Sequence, residues 1–102
     1  MEVYTLTCVE TYNDEFIPVP TQTTVFRSRE DAVTSLKAYI KTAENSYRAQ
    51  YEDVEIEFNS GDGWKDNYDE IHNTNLNIIS MLICPKDDYC WENIFFLKKH
   101  EI

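Results

Sequence analysis

Apolar and polar positions alternate most cleanly over residues 53–58, where Val54, Ile56 and Phe58 interleave with Asp53, Glu55 and Glu57. A period of two is what a strand imposes when one face is buried and the other wet. The sequence therefore predicts a strand with one apolar and one acidic face. Residues 2–10 alternate as well, with Tyr4, Leu6 and Cys8 in one set and Val3, Thr5, Thr7 and Val9 in the other, rich in β-branched and aromatic types. Asn13 and Asp14 mark a turn at residues 11–15. Phe16, Ile17 and Val19 then resume the apolar character, but Pro18 and Pro20 lack N–H donors, so pairing there is expected to be irregular or at an edge. Thr23, Thr24, Val25 and Phe26 restore strand propensity, which makes a hairpin with a long or bulged connection.

After Ser28 the period changes to that of a helix. Ser28 is placed to cap the first N–H groups, and Glu30 and Asp31 lie where the positive end of the helix dipole favours them. Val33, Leu36, Ile40, Ala43 and Tyr47 recur at three- and four-residue intervals, with Tyr39 and Tyr51 flanking, while Lys37, Lys41, Glu44 and Arg48 fall mostly outside the stripe. No Gly or Pro interrupts residues 28–52, so a helix is predicted over about 28–50 with one face on a sheet. Ser60-Gly61-Asp62-Gly63 holds both glycines of the chain and reads as a turn with positive φ. Residues 64–75 read as a long polar loop with room for one helical turn.

Residues 77–84 are apolar in both alternating sets (Ile78, Ile79, Met81, Leu82, Ile83), the pattern of a central strand covered on at least part of both faces. Pro85-Lys86-Asp87-Asp88 supplies a turn. Residues 89–98 return with Trp91, Phe95 and Leu97 on one side and Cys90, Ile94 and Phe96 on the other. The expected fold class is α+β: a single two-layer domain, residues 1–102, of ββαβββ order, with a mainly antiparallel sheet of four or five strands and one long helix on one face.

Composition sharpens this picture. The 42% hydrophobic and 14% aromatic content (seven Tyr, five Phe, two Trp) argues against the disorder that a net charge of −10 alone would suggest. That charge, with a sequence pI near 4.4, should repel phosphate backbones and anionic membranes, so neither direct nucleic-acid binding nor membrane association is expected. The three cysteines are odd in number and sit in or beside apolar runs, which favours reduced thiols. The first residues lack a signal-peptide pattern and no run is long enough to span a membrane, so a cytoplasmic location is expected.

Enzyme chemistry finds little footing. The histidines are His72, in the polar loop, and His100, and cysteines in apolar runs are more often packing residues than nucleophiles. Two glycines cannot build a phosphate-cradling loop. Asp62, Asp66 and Asp69 do not follow calcium-loop spacing, and Cys84 and Cys90, with five residues between them, have no second Cys/His pair for zinc. No enzyme activity, metal or cofactor is expected.

The charge is concentrated. Residues 52–70 hold eight carboxylates against Lys65 alone, a net −7 of the chain's −10, whereas cations gather near Arg27, Arg29 and the helix. Such a block marks either a solvated face that keeps the protein soluble or a surface for basic partners. Asp53, Glu55 and Glu57 would form a row at intervals of about 7 Å, regularly spaced like the charges of a nucleic-acid strand. Asp62, Asp66, Asp69 and Glu70 would add charge, and Trp64 and Tyr68 would act as interface anchors. In size and charge the chain resembles phage-encoded inhibitors of bacterial defence, including anti-CRISPR proteins and DNA mimics, and also small toxin-immunity proteins. The resemblance implies a non-enzymatic acidic inhibitor that occupies the basic, nucleic-acid-handling surface of another protein. The alternative is a small interaction module, immunity-type or homodimeric, that uses the sheet face opposite the helix, since one helix covers one face.

Overall fold

The structure, a computed structural model, describes residues 1–13, 15–16, 23–58 and 76–102. Strands β1 (Glu2–Tyr12), β2 (Glu15–Phe16) and β3 (Thr23–Phe26) precede helix α1 (Arg29–Gln50), and strands β4 (Val54–Phe58), β5 (Leu76–Pro85) and β6 (Trp91–Glu101) follow it. Every strand pair is antiparallel, and all lie in one sheet of order β2-β1-β6-β5-β4, with β3 also on β1. Because β6 runs along one side of β1 from Glu2 to Tyr12, β2 and β3 must share the other side. Among the described residues the sheet is thus five strands wide with one helix packed on it, an α+β fold of the expected ββαβββ-like order. The expected first hairpin turns at Asn13, whose φ of 52° is the left-handed conformation that asparagine tolerates. Its return run is present as two strands rather than one, with residues 17–22 between them outside the described residues.

The helix forms where its stripe and cap predict. Ser28 is extended (φ −122°, ψ 146°) and its Oγ accepts the Asp31 N–H at 3.1 Å, satisfying one of the donors that a helix start leaves open. Ala32, Val33, Leu36, Ile40 and Tyr47 are buried against the sheet. Strands β3 and β4 stand at opposite edges and run in the same direction, so α1 must carry the chain across the strands between them. Four strand spacings are about 19 Å, well within the roughly 33 Å that 22 helical residues span.

Register decides which side chains meet the helix. Leu6 lies opposite Leu97, Cys8 opposite Phe95, Ile79 opposite Phe95, and Ile56 opposite Ile83. These positions share one face, and with Met81 they form the core under α1. The other set of β5 behaves differently from expectation. Ile78 and Leu82 point to the opposite face and are 47% and 36% exposed, so the strand is central in the sheet yet covered on one side only by the described residues.

The cysteines also depart from expectation. Ile83 pairs with Trp91, and continuing that register sets Cys84 opposite Cys90, with Cα atoms 4.4 Å apart and the sulfurs joined in a disulfide. That spacing is the narrow, non-hydrogen-bonded pair of an antiparallel ladder, about 4.5 Å, where two cysteines face each other. Counting cysteines could not reveal this, because it depends on the register of the hairpin. Cys8 alone remains a thiol, and burial pushes it up to about 11. Unpaired thiols therefore no longer support the expectation of a reducing compartment. Among the described residues, no helix is long and apolar enough to cross a membrane.

Candidate functional site

The acidic strand is placed as its alternation requires. Asp53, Glu55 and Glu57 are exposed on the face away from the helix, while Val54, Ile56 and Phe58 turn inward. Pairing with β5 sets Glu55 beside Cys84 and Glu57 beside Leu82, and Leu82 is in turn opposite Glu92. The hairpin turn brings further carboxylates: the Lys86 N–H donates to the Asp53 carbonyl at 3.0 Å, and Glu52, Asp53, Asp87 and Asp88 line a shallow depression around Lys86. One end of the sheet therefore gathers carboxylates from three elements, with Lys86 among them. The sequence block contains Glu52, Asp53, Glu55 and Glu57 but misses Asp87, Asp88 and Glu92. Those three join it only because β5 lies between β4 and β6, and strand order is not written in a local pattern. Asp62, Trp64, Asp66, Tyr68, Asp69 and Glu70 lie outside the described residues.

The acidic end is held in place by a polar aromatic network on the helix side. The Tyr12 hydroxyl donates to Asp88 Oδ1 at 2.5 Å, Tyr51 donates to Asp88 Oδ2 at 3.2 Å, and the Trp91 indole N–H donates to the Tyr51 oxygen at 3.0 Å. The Tyr12 hydrogen bond, helped by the Tyr89 backbone N–H, holds the Asp88 carboxyl below its usual range. The same bond pushes the Tyr12 phenol up to about 12. Tyr12 and Trp91 rings are 4.5 Å apart, and Tyr47 and Trp91 rings 5.8 Å. This packing ties the end of α1 to the β5–β6 turn, so Asp87 and Asp88 are presented on a fixed hairpin.

A cleft of about 510 Å³ opens between α1 and β1 beside this network, lined by Leu6, Cys8, Glu10, Tyr47, Asn93 and Phe95 among others. Its polar groups serve one another. The Tyr47 hydroxyl donates to Glu10 Oε1 at 2.7 Å and accepts from Asn93 Nδ2 at 2.9 Å, and burial raises the phenol well above its ordinary value. A thiol raised by burial is a poor nucleophile. Cys8 faces the helix, whereas His100 lies on the opposite face, 2.9 Å from Thr5 Oγ1, so these two cannot act as nucleophile and base. His72 lies outside the described residues. Among the described residues there is no group of three or more His, Cys, Asp or Glu side chains arranged to hold a metal ion.

No family model, curated protein or solved structure matches the chain.

Proposed function

We propose that this is a non-enzymatic acidic binding protein that occupies a basic, nucleic-acid-handling surface of another protein, an inhibitor of the DNA-mimic or anti-CRISPR type. The observation that carries this reading is the acidic end of the sheet, where Asp53, just before β4, and Glu55 and Glu57 on it stand exposed with Asp87, Asp88 and Glu92 alongside. A rigid strand fixes the spacing of the row, at about 7 Å between alternate residues. An ordered row of like charge steers a basic partner and sets its orientation, with the gain falling as salt screens it. This reading places the protein in the cytoplasm, where the Cys84–Cys90 disulfide would face the reducing glutathione pool.

The test is capture from a bacterial lysate by the immobilised protein. The expected result is a nucleic-acid-binding protein that is displaced by duplex DNA, with capture falling steeply between about 50 and 300 mM salt. The combined variant D53K/E55K/E57K should lose it. Capture unchanged by that variant and by salt would overturn the reading.

A further inference from the structure

The open face of the sheet carries a pattern that is complementary to itself. On β6 the residues turned away from the helix are, in order, Glu92, Ile94, Phe96, Lys98 and His100, of which the first four form a run of an acid, two apolar residues and a base. Read in reverse, the run matches itself in size and opposes itself in charge. Its neighbours extend the apolar centre, with Val9 beside Ile94 on β1 and Ile78 beside Phe96 on β5. Ile78, Leu82 and Leu76 are all exposed large hydrophobics of this face, and none of the described elements covers it.

We propose that this face binds a second copy of the chain, the two sheets lying face to face about a twofold axis that runs across the strands near the middle of β6. This interaction goes beyond the acidic-end reading and does not depend on it. Two ways of stacking the sheets by a twofold axis in their plane are available. An axis along the strands keeps every row of side chains on the same row of the second copy, so Glu92 and Glu57 would meet the second copy's acidic row. An axis across the strands reverses the rows. It sets Glu92 over Lys98 of the second copy, Ile94 over Phe96, and Leu82 over Leu76, each contact occurring twice. Stacked sheets lie about 10 Å apart, a gap that Glu and Lys side chains reaching from both sides can close. Charge complementarity therefore selects both the occupant and the axis. Asp53, Asp87 and Asp88 lie beyond Glu92 along the strands, so a dimer of this kind leaves these three displayed at each extreme, while Glu57 and Glu92 lie within or beside the interface.

The apolar patch is small. From Glu92 to Lys98 is about 20 Å along the strand, and four strands span about 15 Å, which is well short of the roughly 800 Å² that each partner of a standard stable interface contributes. The dimer should form in the upper micromolar range. Each copy also carries −10, and that repulsion reaches about 30 Å at 0.01 M salt but only about 8 Å at 0.15 M. Added salt should therefore promote self-association over this range, opposite in sign to its effect on capture of a basic partner.

Sedimentation equilibrium of the full chain decides the matter, run from about 10 μM to 1 mM at 0.01 and 0.15 M NaCl, a span that brackets a weak interface. The expected result is a monomer–dimer equilibrium that strengthens with salt. Ile78→Glu should weaken it at least tenfold, with the fold checked by circular dichroism. Glu92→Lys and Lys98→Glu should each weaken it about fivefold or more, and the double variant E92K/K98E, which keeps the net charge, should return it to near the original value. A monomer at 1 mM and 0.15 M salt, a dimer indifferent to Ile78→Glu, or a double variant no stronger than the singles would each overturn the proposal. Should Ile78→Glu fail to fold, the charge swaps decide alone.

Discussion

The two faces of the sheet are built from the same strands and have opposite fates. On the helix side, Leu6, Leu36, Ile40, Met81 and Ile83 are essentially inaccessible to water, and the polar groups that enter this layer, Glu10, Tyr47 and Asn93, bond to one another. On the open side, residues one position away in the same strands (Ile78 beside Ile79, Leu82 beside Met81 and Ile83) remain exposed. Hydrophobic character in a strand thus identifies a face that wants cover, not one that has it. The helix side consumes its apolar surface in folding, and the open side leaves Ile78 and Leu82 exposed.

Substitutions on the two sides should separate by size. Leu36→Ala empties a site that is fully enclosed and should cost about 2–5 kcal/mol in denaturant unfolding. Next comes Tyr47→Phe, which leaves Asn93 and Glu10 without their shared partner and should cost about 1–3 kcal/mol. This residue also bears on the alkaline limit. The raised Tyr47 phenol and the Cys8 thiol, raised to about 11, are neutral in the folded state to higher pH than in the unfolded chain. Between their unfolded and folded values the unfolded state binds fewer protons, so the stability these two groups contribute is constant up to about pH 9 and falls above it. A pH series of urea melts should show that decline, shallower in Tyr47→Phe. The smallest effect belongs to the open face: Ile78→Ser should change stability by no more than about 0.5 kcal/mol. A cost near that of Leu36→Ala would mean the open face is closed within the monomer, and would erase the distinction between the two sides.

Local periodicity sufficed for the elements, since each strand or helix face is a statement about neighbours in sequence. The Ser28 cap, the Val33-to-Tyr47 stripe and the acidic alternation of residues 53–58 all lie where the pattern puts them. What escaped depends on which strand stands next to which. The Cys84–Cys90 bond follows from hairpin register, the arrival of Asp87, Asp88 and Glu92 at the acidic end follows from β5 lying beside both β4 and β6, and the Tyr12–Asp88–Tyr51 network joins three separate elements. The self-complementary run on β6 is visible in sequence once one knows that the face carrying it is open.

The position of β6 has a consequence for how the molecule comes into being. It lies between β1 and β5, and its ladder with β1 joins residues as distant as Glu2 and Glu101. Contacts of that separation close the longest loops and are the slowest to gain. The helix and the β5–β6 hairpin can form early and locally, but the sheet stays in two unjoined parts until β6 docks on β1. Before that moment β1 and β6 each expose an unpaired edge, and the chain is most open to mispairing with other chains. Acidic repulsion between those incomplete chains would then matter before any native surface exists: the charge that slows a wrong encounter guards the wait for the final strand.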